Sequence, residues 1–195
     1  LAIQTYYGGA NGEPVSGATT TGYYLKKYCD SSVDLRAGKT SKKRHSWVTF
    51  RLGEFYLNYA EAVYKYLGEN PDATSSSEGL SLSAREAVNI IRSRKGVEMP
   101  ALPAGLSKDD FWKKYEDERM VELAFEGHRF WDLRRWKEGD KLKSIDIMKI
   151  VKNDDGSFTY TRQTKQRSWD DKMYLFPIPQ SERLKNTNLT QNTGW

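Results

Sequence analysis

Residues 118–136 read Glu118-Arg119-Met120-Val121-Glu122-Leu123-Ala124-Phe125-Glu126-Gly127-His128-Arg129-Phe130-Trp131-Asp132-Leu133-Arg134-Arg135-Trp136. Upstream of this run, Phe111, Tyr115, Glu118, Glu122 and Phe125 recur at three- and four-residue steps, as do Trp112, Arg119, Leu123 and Gly127. Two such rows on one segment predict a helix with two faces in use. Ser107 followed by Asp110 is a capping-box-like start, with Asp in place of Glu. Gly127 is expected to kink or break the helix, and the pattern resumes from His128 and stops before Gly139.

The carboxylates Glu118, Glu122 and Glu126, with His128, raise the question of a metal or acid/base cluster. A di-iron bundle needs Glu-x-x-His from two helices and a zincin needs His-Glu-x-x-His. Neither occurs, and His45 and His128 are the chain's two histidines. The favoured reading is charge pairing with Arg119, Arg129, Arg134 and Arg135, which welds helices together. No residue pair is assigned as glycosidase acid and nucleophile, and no Ser-His-Asp or Cys-His set is found. Neither a metal nor a cofactor is expected.

Working outward, Phe50, Leu57, Ala60 and Tyr64, widened by Leu52, Phe55, Tyr59 and Val63, predict a helix over 50–67 that Gly68 and Asn70-Pro71 terminate. Residues 71–79 are a Ser-rich linker. Ser83 and Glu86 form a capping box for a helix over 83–95, with Ala84, Ala87, Val88 and Ile91 as its buried stripe and Gly96 as its stop. Two such helices make an αα-hairpin, and Tyr59 and Ala60 are expected to face the 110–136 segment. After Ser144 the period shortens to two, and Asn153-Asp154-Asp155-Gly156 with Phe158-Thr159-Tyr160-Thr161 completes a β-hairpin signal. Tyr174-Leu175-Phe176-Pro177-Ile178-Pro179, with two prolines, is expected to be extended and packed on helices. The fold class is therefore mainly α, helical hairpins with long loops and one small β-hairpin. One domain is expected over 1–195, loop-rich over 1–46, helical over 47–143, and hairpin plus extended tail over 144–195.

Composition bounds the function. The 195 residues are 13% aromatic, which excludes a disordered chain. With 29% charged residues and a mean hydropathy of −0.78, no membrane span is expected. Cys29 is the single cysteine, so an internal disulfide is excluded. The net charge of +5 is concentrated in residues 21–51, where Lys26, Lys27, Arg36, Lys39, Lys42, Lys43, Arg44 and Arg51 oppose Asp30 and Asp34. No aromatic-interleaved recognition motif accompanies it, so nucleic acid is not an expected partner. Gly38-Lys39-Thr40 mimics the end of a phosphate loop, but Val33 stands where its first glycine belongs. The opening Leu1-Ala2-Ile3-Gln4, without Met or signal peptide, leads to the expectation of a fragment or processed product.

Of the 12 Tyr, 7 Phe and 6 Trp, those at helical spacing, including Phe55, Tyr59, Phe125, Phe130 and Trp131, are expected in the core. Truncating Phe125 to Ala would then cost about 3–5 kcal/mol. Tyr6, Tyr7 and Trp47 differ, standing in or beside irregular loops among Gly, Asn and Thr. Flat rings beside amides and hydroxyls suit polyhydroxylated ligands such as sugars, so these three are the candidate ligand-binding residues.

The run 118–136 resembles the hallmark segment of the SusD/RagB family. Three further stretches resemble that family in the right order: Thr21-Gly22-Tyr23-Tyr24-Leu25-Lys26-Lys27, Arg51-Leu52-Gly53-Glu54-Phe55-Tyr56-Leu57-Asn58-Tyr59-Ala60-Glu61-Ala62, and Tyr174-Leu175-Phe176-Pro177-Ile178-Pro179-Gln180-Ser181-Glu182 with Asn188-Leu189-Thr190-Gln191-Asn192. The resemblance implies a superhelix of tetratricopeptide-like helix pairs. It also implies a surface-exposed outer-membrane lipoprotein of a Gram-negative bacterium that binds a glycan or other nutrient. Such a protein caps a TonB-dependent, SusC-like transporter in polysaccharide utilisation and has no enzymatic activity. The resemblance is to the C-terminal part of longer proteins, so the family's lipid-bearing cysteine is not expected within this stretch, and Cys29 is not expected to correspond to it. Much of the family's ligand site comes from loops upstream of or near the start of this match, so the isolated chain is expected to bind poorly. No binding residue is carried over, because the matched motifs are structural. A helical protein–protein scaffold is the alternative, and a glycosidase is disfavoured.

Overall fold

The computed structural model describes residues 3–34, 38–39, 41 and 43–195. Leu1, Ala2, Arg36 and Lys42, and Thr40 of the phosphate-loop mimic, lie outside the described residues. The chain divides into two compact units, Leu35–Arg129 and Leu1–Asp34 with Phe130–Trp195.

The first unit is helical: α1 (Leu52–Tyr66), α2 (Ala84–Ser93) and α3 (Lys108–Glu122). The capping box forms as expected, with the Ser83 hydroxyl accepting from the Glu86 N–H while the Glu86 carboxylate accepts from the Ser83 N–H at 2.9 Å. Ser107 likewise accepts from the Asp110 N–H at 3.1 Å and starts α3. The core is Leu57, Ala60, Val63 and Tyr64 of α1 against Ala84, Ala87, Val88 and Ile91 of α2, with Phe111 and Tyr115 of α3. The buried tyrosine hydroxyls end on backbone carbonyls. Tyr64 donates to Lys108 and Tyr115 to Leu57, at 2.9 and 3.0 Å. A buried O–H thus meets an acceptor and ties two elements together. Burial, with the Glu69 and Asp109 charges, pushes the Tyr64 hydroxyl up to about 12. Asn89 clamps the loop before α3 by exchanging hydrogen bonds with the backbone of Leu102.

Three expectations are corrected here. First, arginines from outside the run pair with its glutamates. Glu118 pairs with Arg92, Glu122 with Arg51 and Arg94, and Glu126 with Arg51, while Arg119 donates to Asn58. Second, α3 ends at Glu122, before the predicted break, and a turn carries the chain to Gly127. Third, Phe125 sits in that turn at φ +62°, 67% exposed, and Phe55 is exposed too. The reason on α1 is geometric. Burial follows 57, 60 and 64, while Leu52, Phe55, Tyr59, Ala62 and Tyr66 form a separate stripe in which Leu52, Phe55, Ala62 and Tyr66 are exposed and Tyr59 is half-buried.

In the second unit, β1 (Ser144–Lys152) and β2 (Phe158–Gln166) pair antiparallel, with Ile150 opposite Tyr160 and Lys152 opposite Phe158. The N-terminal loop runs along the other edge of β1. The Tyr7 N–H donates to the Ile150 carbonyl at 2.9 Å, and the Met148 N–H to the Thr21 carbonyl at 3.0 Å. Gly22 makes this approach possible: at φ +82°, a Cβ there would lie 2.2 Å from the Met148 carbonyl oxygen. The division of the chain falls inside α4 (His128–Arg135). Phe130 and Trp131, expected in the core, are exposed. They flank Arg134, whose guanidinium lies 4.3 Å from the Phe176 ring centroid and donates to the Tyr174 carbonyl at 2.6 Å. The tail is therefore extended and packed on a helix as expected, before a short helix α5 (Gln180–Lys185) that begins after Pro179. The mainly helical class with one small hairpin is borne out. Among the described residues no helix is long and apolar enough to cross a membrane.

Candidate functional site

The hairpin register builds an aromatic cleft. Because side chains alternate along a strand, Ile150, Lys152, Phe158 and Tyr160 share one face. The N-terminal loop adds Tyr6, whose ring centroid is 5.5 Å from that of Phe158, and Phe158 is 6.5 Å from Tyr160. The Lys152 ammonium stands 5.9 Å from the Tyr6 centroid. Gln4 completes the polar rim, its side-chain carbonyl accepting from the Tyr6 hydroxyl at 3.4 Å and the Ala10 N–H at 3.2 Å. These residues line a cleft of about 340 Å³. Tyr160 is 62% exposed, so its ring is presented to solvent.

A neighbouring cleft of about 180 Å³ is lined by Tyr7, Glu13, Thr19, Thr20, Lys149 and Gln163 among others. Tyr6 and Tyr7 thus lie in one unit and line adjacent clefts. Trp47 lies in the helical unit, 69% exposed, with its ring 6.3 Å from that of His45. Phe158, Tyr160 and Lys152 were not among the candidates from the sequence. The signal is present in Phe158-Thr159-Tyr160, two rings at a spacing of two, but that spacing marks a strand and does not by itself mark a binding surface.

The helical unit's carboxylates have a different environment. Burial alone pushes the Glu122 carboxyl up, yet hydrogen bonds from Arg94 and Arg51, with their charges, hold it below the usual carboxylate range. The same contacts keep the Arg51 guanidinium more firmly protonated, hydrogen bonding to Glu126 leading. Lone pairs occupied by guanidinium donors are unsuited to proton transfer, which needs a carboxyl pushed up toward the working pH. Among the described residues there is no group of three or more His, Cys, Asp or Glu placed to hold a metal ion.

The chain is 28% identical over 152 residues to SusD-like protein P2 of Formosa agariphila, a match covering 75% of this chain and 25% of that protein. It superposes on a SusD-like protein from Bacteroides fragilis NCTC 9343 with a TM-score of 0.69 and 32% identity, covering 90% of this chain and 31% of that one. The chain thus spans a quarter to a third of the length of these relatives. The family model described as the SusD family matches residues 2–195, nearly every residue, and on that match the chain belongs to the SusD family.

Proposed function

We propose that this chain is one folded portion of a non-catalytic nutrient-binding protein of the outer-membrane surface. In this reading it captures a glycan and passes it to a TonB-dependent, SusC-like transporter, and a lipid anchor holds the protein at that surface. The observation that carries the binding role is the ring set of half-buried Tyr6 with exposed Phe158 and Tyr160, rimmed by Gln4 and Lys152. A pyranose presents C–H faces to such rings and hydroxyls to such a rim, and a concave site with few polar groups suits a small ligand. Membership of the SusD family supports the same assignment. Tyr7 and Trp47 are kept as further proposed contacts.

The test is calorimetry on the full-length polypeptide against a broad panel of oligosaccharides. At least one should bind, and Tyr160→Ala should weaken that binding about tenfold or more. Binding that ignores Tyr160, Phe158 and Tyr6 would remove the cleft from the reading. Silence across the panel would remove the glycan.

A second reading, a protein contact face, is favoured by the stripe on α1. Leu52, Phe55 and Tyr66 expose apolar surface at helical spacing, and the Phe50 ring lies 6.5 Å from that of Phe55. Such a stripe fits another helix better than a sugar.

A further inference from the structure

We infer that the Tyr6/Phe158/Tyr160 cleft selects an anionic sugar, one bearing a carboxylate or a sulfate ester, and that Lys152 reads the charge. The inference rests on the glycan reading above and goes beyond it by naming the ligand's charge and the residue that senses it.

The argument begins with the register. Lys152 lies directly opposite Phe158 and diagonal to Tyr160 on the same face, and its ammonium stands over the Tyr6 ring, 5.9 Å from the centroid. A sugar lying on the Phe158 and Tyr160 rings would direct its ring substituents sideways, within reach of that ammonium. Lys152 is exposed, and among the described residues no carboxylate lies within ion-pair distance of it. Some lysines are already engaged by acids, Lys65 with Glu69, Lys141 with Glu138, Lys143 with Asp140 and Lys185 with Glu182, all within 2.8 Å, and such a lysine has less to offer a ligand. On the hairpin face, Arg162 has Asp146 at 3.9 Å. The nearby turn acid Asp155 accepts from the Ser157 hydroxyl and N–H, at 2.6 and 2.9 Å. Lys152 instead has the Tyr6 ring at 5.9 Å, a loose contact that leaves its N–H donors to a ligand. A lysine is a compact point charge on a flexible stem, without the fork that favours one planar anion, so carboxylate and sulfate are both accepted.

The size of the effect follows from the exposure. A single solvated ion pair gives a preference of about 3–5-fold, and salt screens it. Calorimetry on the full-length polypeptide tests this with two matched pairs of probes. One is tetragalacturonate and its methyl ester, and the other a sulfated galactan tetrasaccharide and its desulfated counterpart. In about 10 mM salt the anionic member of at least one pair should bind about 3–5-fold tighter. The preference should vanish in about 1 M salt, where the screening length falls to ~3 Å. The pair that shows it identifies the anion. Lys152→Gln, which removes the charge from the rim, should abolish the difference between the anionic and neutral members whatever it does to their common affinity, and Lys152→Arg should retain that difference. Equal affinity within both pairs, or a preference that survives Lys152→Gln, overturns the inference. If neutral members still bind in a Tyr160-dependent way, the glycan reading stands without it. If no member of either pair binds, the inference falls, and the glycan reading is decided by the broad panel.

Discussion

The helical unit and the hairpin unit use the same residue types in opposite ways. In the core of the helical unit, aromatic rings and charged groups are turned inward on one another. Tyr64 stacks on Trp112, Tyr115 spans to α1, and Glu122 is held by two arginines. On the hairpin of the other unit, Phe158 and Tyr160 lie open and Lys152 faces outward. A side chain whose donors, acceptors and faces are already occupied adds stability. One whose faces are left vacant is available to a ligand. Composition alone does not separate the two cases, because both units are rich in tyrosine and in cations.

The sharpest way to break this contrast is a pair of truncations. Tyr115 is fully buried, and its single hydroxyl proton is shared between two acceptors, the Leu57 carbonyl at 3.0 Å and the Glu61 carboxylate at 2.9 Å. Tyr115→Ala should cost about 3–5 kcal/mol in urea melts. Tyr160→Ala, at an exposed site, should change stability by less than about 0.5 kcal/mol while weakening ligand. A Tyr160 variant as destabilised as the Tyr115 one would place Tyr160 among the structural tyrosines.

Next in size is the ion lattice. Glu122→Gln keeps the shape but removes the charge that Arg51 and Arg94 share, and should cost about 2 kcal/mol. The same residue sets a pH dependence. Its folded-state carboxyl titrates below its ordinary value of 4.5, so the folded chain binds fewer protons than the unfolded one. The stability it contributes is fully present above pH 4.5 and is lost as pH falls through the depressed value. Asp72, lowered by the Arg85 hydrogen bond and then by the Gly105 N–H, acts in the same direction. Melts between pH 6 and about 3 should show a falling limb that is shallower in Glu122→Gln. An unchanged limb would mean that other groups carry the acid sensitivity.

What was legible in the sequence was local. Ser83 with Glu86 and Ser107 with Asp110 announce helix starts because a hydroxyl and the N–H three residues on need nothing beyond the first turn. Ser83→Ala, which removes such a cap, should cost about 1 kcal/mol. A change under ~0.3 kcal/mol would mean that packing by Ala84 and Ala87 alone holds that terminus. Partners far along the chain were not legible. Arg51 meets Glu122 across 71 residues, and Arg92 meets Glu118 across 26, so a reading confined to the run 118–136 assigned its arginines as the partners. The aromatic cleft was hidden for a related reason. Tyr6 joins Phe158 only after the hairpin has formed and the N-terminal loop has laid itself along β1. Tyr6 and Tyr7 could be suspected from their loop setting, whereas Phe158 and Tyr160 needed the strand register.

The smallest expected effect concerns Phe125, the residue whose helical spacing misled. Its ring is largely exposed, and its backbone lies at φ +62° in the turn where Glu126 N–H reaches the Leu123 carbonyl. Phe125→Ala therefore removes little buried surface and should shift stability by less than about 0.5 kcal/mol. Phe125→Gly relieves about 1 kcal/mol of left-handed strain and gives back ~0.5–1 kcal/mol in unfolded-chain entropy, so it should be close to neutral. Phe125→Val should be worse than Ala by about 1 kcal/mol, because a β-branched residue resists positive φ. The order Gly, Ala, Val in urea midpoints would mark backbone conformation as the constraint here. A loss near 3 kcal/mol for Ala would return the ring to the packed set, with Tyr64 and Tyr115, and blur the line between surfaces that are used up and surfaces that are offered.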